Sequence, residues 1–388
     1  MAAAAESAAP VQPPPAKAKP REWMPRIWEG CDFVGWIKLL ARNRFAVNWR
    51  YWYIAAIVTV VSFVHMLLRW VQGLLYGSRI RAMPIAAPPL FIVGHWRTGT
   101  TLLHELMILD PRHTYPNSYQ CMEPNHFLLT ENLVKKYLHF LMPSRRPMDN
   151  MAAGWDRPQE DEFALCMMGV PSPYLTIAFP NHPPACQEYF EIEQVAPAAR
   201  DSWKQSFYKL LQTLTFKDPR RLVLKSPPHS CRIKILLELF PEARFIHIVR
   251  NPYVVYPSTI NLWKSLYETH GLQKPTFAGL EEHVLSTFTH LYEALERGKQ
   301  LVKPDRFYEL RYEDLIADPV GQMQKMYEQL QLGDFEQTRP GLEDYLAKTK
   351  GYETNRYQMP PETRALVGER WKKVIEQYGY SEPETKPA

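Results

Sequence analysis

The chain contains no Asn-x-Ser/Thr acceptor and no Cys-x-x-Cys pair. The first absence argues against a glycosylating secretory route. The second removes the common zinc and redox frameworks. The five cysteines, Cys31, Cys121, Cys166, Cys186 and Cys231, are odd in number and scattered, so they read as free thiols in a reducing compartment. Basic runs interleaved with aromatics are also missing, and the net charge is only +5 over 388 residues. Nucleic acid is therefore not an expected partner; mild positive charge suits an anionic ligand or a membrane surface. No apolar core lies within the first 20 residues, which are mostly Ala, Pro and Lys. Residues 1–22 are expected to be a disordered tail and not a signal peptide. With 46% hydrophobic and 22% charged residues, the whole chain has ordinary globular composition and is long enough for one large domain or two small ones.

One long apolar run is present. Residues 51–68 carry no formal charge; Trp49, Tyr51, Trp52 and Tyr53 crowd one end, and Arg69 with Trp70 closes the other. This resembles an aromatic belt around a membrane segment. Eighteen residues just reach across a ~30 Å hydrocarbon core, but an in-plane helix fits as well. Arg42, Arg44 and Arg50 precede it and Arg69, Arg79 and Arg81 follow, a balance that assigns no orientation. Residues 23–87 are expected to form a membrane-associated helical segment.

From residue 88 onward short apolar runs alternate with helical patterns. Leu90–Val93, Arg221–Lys225, Arg244–Val249 and Phe307–Arg311 read as strands, with helices over Thr100–Leu109 and Arg232–Phe240. Leu280, Val284, Phe288, Leu291 and Leu295 mark one face of a further helix. The pattern predicts an α/β fold, a P-loop-like parallel sheet flanked by helices, over 88–388. Residues 142–190, rich in Pro, Met and aromatics, have weak periodicity and read as a substrate-covering insertion.

Residues 94–101, Gly-His-Trp-Arg-Thr-Gly-Thr-Thr, nearly spell a phosphate-binding Walker A loop. Gly94 and Gly99 have the right spacing and Thr101 the right hydroxyl, but Thr100 replaces the lysine. Backbone amides at a helix start can still cradle a phosphate. The cation has moved to Arg97, which suggests a nucleotide held without triphosphate chemistry. Downstream, Arg250 leaves the end of a predicted strand and Ser258 follows eight residues later. An arginine fork and a hydroxyl at that sheet edge make a second anion site.

Together these motifs resemble the sulfotransferases, which use 3′-phosphoadenosine-5′-phosphosulfate (PAPS). The nearest likeness is to bacterial members related to the tyrosylprotein and carbohydrate enzymes. The resemblance covers roughly 88–380 and extends to Tyr312-Glu-Asp-Leu and Asp318-Pro. It implies that Arg97, Thr98, Gly99, Thr100 and Thr101 hold the 5′-phosphosulfate, and that Arg250 and Ser258 clamp the 3′-phosphate. The soluble aryl and steroid enzymes carry lysine where this chain has Arg97. Lys225 resembles a lysine that stabilises the transferring group. Glu123, 26 residues beyond Arg97, resembles the general base. His113, His126 and His182 remain alternatives, because the soluble branch uses histidine. The acidic trio Glu160, Asp161 and Glu162 is a further alternative, against the plainer role of a solvated helix start. Trp96 is read either as a ligand-stacking or as a core residue. Lys350 and Arg356 match basic contacts at the 3′ end loosely.

The chemistry so implied needs positioning and cations, and no metal if these suffice. The acceptor is expected to be a hydroxyl on a lipid, glycan or other amphiphile, because residues 51–68 hold the site near a bilayer. The expected location is a bacterial inner membrane with the catalytic domain in the cytoplasm, where PAPS is made; a Golgi enzyme is the alternative. Two other functions fit the first loop. A P-loop kinase would bind Mg-ATP but gives Arg250 and Ser258 no role. An inactive nucleotide-binding membrane adaptor would bind the product nucleotide without turnover.

Overall fold

A computed structural model describes residues 26–137, 154–349 and 359–381. Helix α1 (Phe33–Arg42) is capped by Asp32, whose carboxylate accepts from the Gly35 N–H at 3.1 Å. The apolar run then continues as one 30-residue helix, α2 (Trp52–Arg81). It runs well past residue 68, and polar atoms tie it to the body along its length. Trp36 Nε1 donates to Thr59 Oγ1, Arg69 pairs with Asp32 at 2.5 Å, and Gln72 bridges the Asn125 carbonyl and the Leu128 N–H.

The α/β part begins with β1 (Leu90–Val93), followed by α3 (Thr100–Met107) and a two-residue strand, β2 (His113–Thr114). Three helices follow: α4 (Ser118–Met122), α5 (Phe127–Tyr137) and α6 (Asp161–Met167). Next come α7 (Pro197–Lys217), β3 (Arg221–Lys225), α8 (Ile233–Leu239) and β4 (Arg244–Val249). Then follow α9 (Pro252–His270), α10 (Leu280–Lys299), β5 (Phe307–Arg311) and α11 (Tyr312–Ala317). The five strands pair in the order β2-β3-β1-β4-β5, and every pairing is parallel. Ile92 lies opposite Lys225 and Val93 opposite His247, so β3 and β1 end within one residue of each other and β4 runs two residues further. From β1 the chain goes to one edge of the sheet and later returns to the other side. That reversal opens a crevice at the strands' carboxyl ends, where ligands bind in open α/β sheets.

Alternation along β1 feeds two separate cores. Phe91 and Val93 join Leu222, Leu224 and Phe245 under α7 and α10. Leu90 and Ile92 join Val223, Ile246 and Ile248 under α3 and the helix Pro319–Leu330. Trp28, Trp36 and Ile54 belong to the first cluster, so α1 and α2 pack on the same core as the sheet. The stretch expected to cover the substrate is described only in part. Residues 142–153 lie outside the described residues, and 154–190 contribute α6 with buried Leu165, Tyr174, Ile177 and Phe179.

Candidate active site

The loop after β1 takes backbone angles that few sequences permit. Gly94 has φ +144° and Gly99 φ +103°. A Cβ at Gly94 would lie 2.7 Å from the Ile248 carbonyl oxygen, and one at Gly99 would lie 2.4 Å from the Tyr312 ring. Arg97 itself sits at φ +71°, a strained conformation for any residue with a Cβ and a long side chain. Thr98 Oγ1 donates to the His95 carbonyl at 2.8 Å and the Gly94 N–H donates to Ser230 Oγ, also at 2.8 Å. Gly99 caps α3, whose first amides have no intrahelical acceptor and face the crevice end of the sheet.

The two anion sites expected from the sequence meet here. Arg97 Nε donates to Ser258 Oγ at 2.9 Å, across 161 residues of sequence. Arg250 Nη1 donates to the Arg97 carbonyl at 3.3 Å, and its guanidinium lies 4.1 Å from the centre of the Tyr312 ring. Tyr312 thus packs beneath both the Gly99 turn and Arg250. The residues after it have structural duties. Glu313 accepts from the Asn251 N–H and from Tyr380 Oη, and Asp318 caps the next helix through the Gly321 N–H.

Lys225 ends β3 and is 3% exposed at its side chain. Its partner is Glu160: Nζ to Oε1 is 2.6 Å. The other Glu160 oxygen accepts from Tyr174 Oη, and Trp96 Nε1 donates to that same hydroxyl at 3.1 Å. Burial, then the neighbouring carboxylate, drives the Tyr174 phenol well above its ordinary pKa, so it remains a donor. Trp96 packs among Tyr174, Phe190 and Trp263, so it positions Tyr174 and Glu160 from within the core.

The rest of the acidic trio is structural. Asp161 accepts from His229 at 2.6 Å and from Ser226 at 3.0 Å, fully buried. Burial pushes its carboxyl upward, but the His229 charge and these hydrogen bonds outweigh it and hold the group below the usual carboxylate range. Glu162 takes a two-pronged pair from Arg232, also fully buried, and a bond from Ser172 Oγ. Glu160, Asp161 and Glu162 therefore meet Lys225, His229 and Arg232 in order.

Glu123 has other neighbours. Its Oε2 lies 3.3 Å from His65 Nδ1 on α2 and 3.1 Å from His126 Nε2. The remaining candidate histidines are structural as well: His113 Nδ1 contacts the Met107 carbonyl, and His182 Nδ1 contacts Asn43 Oδ1. Lys350 and Arg356 lie outside the described residues. All five cysteines are free and buried.

Comparison with known proteins agrees with this architecture. The family model described as "Sulfotransferase family" matches residues 88–337. Two proteins named omega-hydroxy-beta-dihydromenaquinone-9 sulfotransferase Stf3, from Mycobacterium bovis and Mycobacterium tuberculosis, are each 53% identical over 368 residues, covering 95% of both chains. Among solved structures, sulfotransferase STF9 from Mycobacterium avium aligns with TM-score 0.62 at 18% identity, covering 91% of this chain and 97% of that one. Sulfotransferase STF1 from Mycobacterium tuberculosis aligns with TM-score 0.59 at 18% identity, over 89% and 94%. A phosphate-cradling loop in front of a parallel sheet, a crevice carrying Arg97, Arg250 and Ser258, and relatives of this closeness lead to one assignment: the chain belongs to the sulfotransferase family and is a sulfotransferase.

Proposed function

We propose that this sulfotransferase takes its sulfuryl group from PAPS and delivers it to the hydroxyl of an omega-hydroxylated, menaquinone-type lipid. The acceptor class is carried over from the name of the 53% identical relatives. The donor is supported by one observation above the others: Arg97 contacts both Ser258 and Arg250 at the crevice that also holds Lys225 and Glu160. A bisphosphorylated adenosine needs two anion sites side by side, and an ATP-dependent kinase leaves the second without purpose.

In this scheme Arg97, the amides of Thr98, Gly99, Thr100 and Thr101 and the two threonine hydroxyls hold the 5′-phosphosulfate. Arg250 and Ser258 hold the 3′-phosphate, and Lys350 adds a cation at that end. Lys225 neutralises charge on the sulfuryl oxygens as the bond to the leaving phosphate stretches. The acceptor oxygen bonds to sulfur, the sulfur–oxygen bond to the 5′-phosphate breaks, and that phosphate leaves with the electron pair. The acceptor proton goes to Glu160. Glu123 matches the spacing of a base, but the pairing with Lys225 favours Glu160. The donor's anion competes for Lys225 and frees the Glu160 carboxylate. No metal enters the transfer step.

Residues 23–87 act as the membrane-associated segment and 88–388 as the catalytic domain. Helix α2 lies in the membrane surface and does not cross it. At about 1.5 Å per residue it is about 45 Å long, and α1, α5 and α7 are tied to it by Trp36, Asp32, Leu128 and Gln212. A crossing helix would drag those elements into hydrocarbon. Its outward face leaves Trp49, Tyr53, Val60, Trp70 and Leu74 each about two-thirds or more exposed. That face suits the interface, where aromatic rings and arginines settle. The body is assigned to the cytoplasmic side, where its thiols stay reduced.

The test supplies purified chain with PAPS and an omega-hydroxylated menaquinone in detergent. Mass spectrometry should find sulfated lipid and 3′,5′-bisphosphoadenosine in equal amounts. Failure of the lipid with turnover of another alcohol would replace the acceptor alone. Failure of PAPS with hydrolysis of ATP would overturn the donor.

A further inference from the structure

We propose that His65, Glu123 and His126 form a binding site for one divalent transition-metal ion, joining the membrane-facing helix to the catalytic body. Among the described residues this is the one group of three such side chains whose ligand atoms all fall within 4.8 Å of one another. Each contributes a buried polar atom with no hydrogen-bond partner: His65 Nδ1, Glu123 Oε2 and His126 Nε2. The separations are short, 3.3 Å and 3.1 Å to Glu123 Oε2, yet neither contact has hydrogen-bond geometry. Three atoms that miss one another while crowding one point are arranged around something between them. Metal–nitrogen and metal–oxygen bonds of about 2.0–2.2 Å place neighbouring tetrahedral ligands about 3.3–3.5 Å apart, close to both separations.

The surroundings of His126 support the same assignment. Its ring is 2% exposed, and its other nitrogen, Nδ1, lies 3.0 Å from Thr130 Oγ1. That hydroxyl accepts from Tyr119 Oη and gives its own proton to the His126 carbonyl. The remaining bond must be donated by Nδ1–H, which leaves a lone pair on Nε2 directed at the cluster. A ligating histidine held through its second nitrogen is the usual outer-shell arrangement. The opposing account, ordinary hydrogen bonds from the rings to one carboxylate, lacks the geometry at both nitrogens. A doubly charged ring pair fares no better. It places two cations with ring centres 4.6 Å apart in a buried pocket, against a single negative charge.

Two imidazoles and a carboxylate suit zinc, with one position of the tetrahedron open, or six-coordinate ferrous iron, with three. The site is separate from the Lys225–Glu160 pair. His65 belongs to α2, Glu123 follows α4 and His126 precedes α5, so the ion pins the in-plane helix to the helices beside α6.

The test needs neither donor nor acceptor, so its failure leaves the sulfotransferase assignment untouched. The full chain, purified in detergent, is stripped with chelator, dialysed against zinc chloride and measured by elemental mass spectrometry and zinc titration. One zinc per chain is expected, with a melting temperature that zinc raises and chelator lowers again. His65→Ala and Glu123→Gln should each weaken zinc binding more than about tenfold, while the surface variant His290→Ala keeps it. Cobalt(II) loading should give tetrahedral visible absorption in the parent and none in His65→Ala. A variant that misfolds is replaced by His126→Gln, with circular dichroism as the check on structure. A parent that retains no zinc, or His65→Ala and Glu123→Gln that retain it like the parent, overturns the site.

Discussion

Glu160→Gln isolates the assignment of the base. Glutamine keeps the shape and keeps an oxygen for Lys225 Nζ, now 2.6 Å from Oε1. Its amide nitrogen then faces the Tyr174 hydroxyl as a donor, so the bond that Tyr174 gives to Glu160 must reverse. What it loses is the ability to take a proton. General-base catalysis contributes about 10²–10⁴-fold, or about 2.7–5.5 kcal/mol at 1.36 kcal/mol per tenfold. Leaving Lys225 as an unpaired buried charge would cost about 3–5 kcal/mol in the empty enzyme, but the donor's anion supplies that partner on binding. The variant should therefore bind donor at least as tightly as the parent while kcat falls 10²–10⁴-fold. Steady-state kinetics with varied PAPS reads the two effects apart. The melting temperature without ligand reads the cost of the unpaired lysine. A Glu160→Gln enzyme within threefold of parental kcat would refute the assignment, and loss of turnover in Glu123→Gln instead would return the role to Glu123.

Arg97→Ala should abolish turnover, and Arg97→Lys should recover only part of it. The lysine restores charge without the fork that reaches Ser258; single-turnover assays with PAPS separate the two. Gly99→Ala should destabilise the chain by about 1–3 kcal/mol through its φ of +103° and the Tyr312 contact, read as a lower melting temperature. Val60→Glu with Leu74→Glu should release the chain from anionic vesicles in a flotation assay while leaving turnover of a water-soluble alcohol intact; retained flotation would remove the in-plane helix from the interface. Burial depresses His95 to about 4 and His104 to about 3, so the unfolded chain binds protons that the folded chain refuses. Stability should then fall as pH drops from about 6.5 through 4. A melting temperature that stays flat over this range would contradict that sign.

The strands were legible because buried parallel strands have short apolar runs with hard ends. Leu90–Val93, Arg221–Lys225, Arg244–Val249 and Phe307–Arg311 fall where the sequence places them. β2 has two residues and no pattern to read. Leu280, Val284, Phe288, Leu291 and Leu295 are all buried on α10, whose other face is charged enough to show the period. α6 showed only its acidic start, because nearly every side of it is buried, which erases the contrast that periodicity depends on. Arg97, Arg250 and Ser258 announced themselves through motifs, but their contact is a property of the sheet order. His65 was hidden in the apolar run, where a lone histidine carries no spacing.

The pairing of three consecutive acids with three cations could have been noticed in advance. A run Glu-Asp-Glu leading straight into Phe-Ala-Leu-Cys-Met cannot leave all three charges in water while the next turn is buried. Each needs a partner, and Lys225, His229 and Arg232 supply one apiece between the end of β3 and the start of α8. Two of these pairs are fully buried and hold α6 against the segment after β3. The third, Lys225 with Glu160, is the outermost, 3% and 13% exposed, at the mouth of the crevice. Removing one member of an inner pair strands a buried charge and threatens the fold. In the proposed scheme it is the outer pair, less deeply set, that exchanges its partner for an incoming anion. That difference in depth is why the proposed scheme gives the proton to Glu160 and not to Asp161 or Glu162.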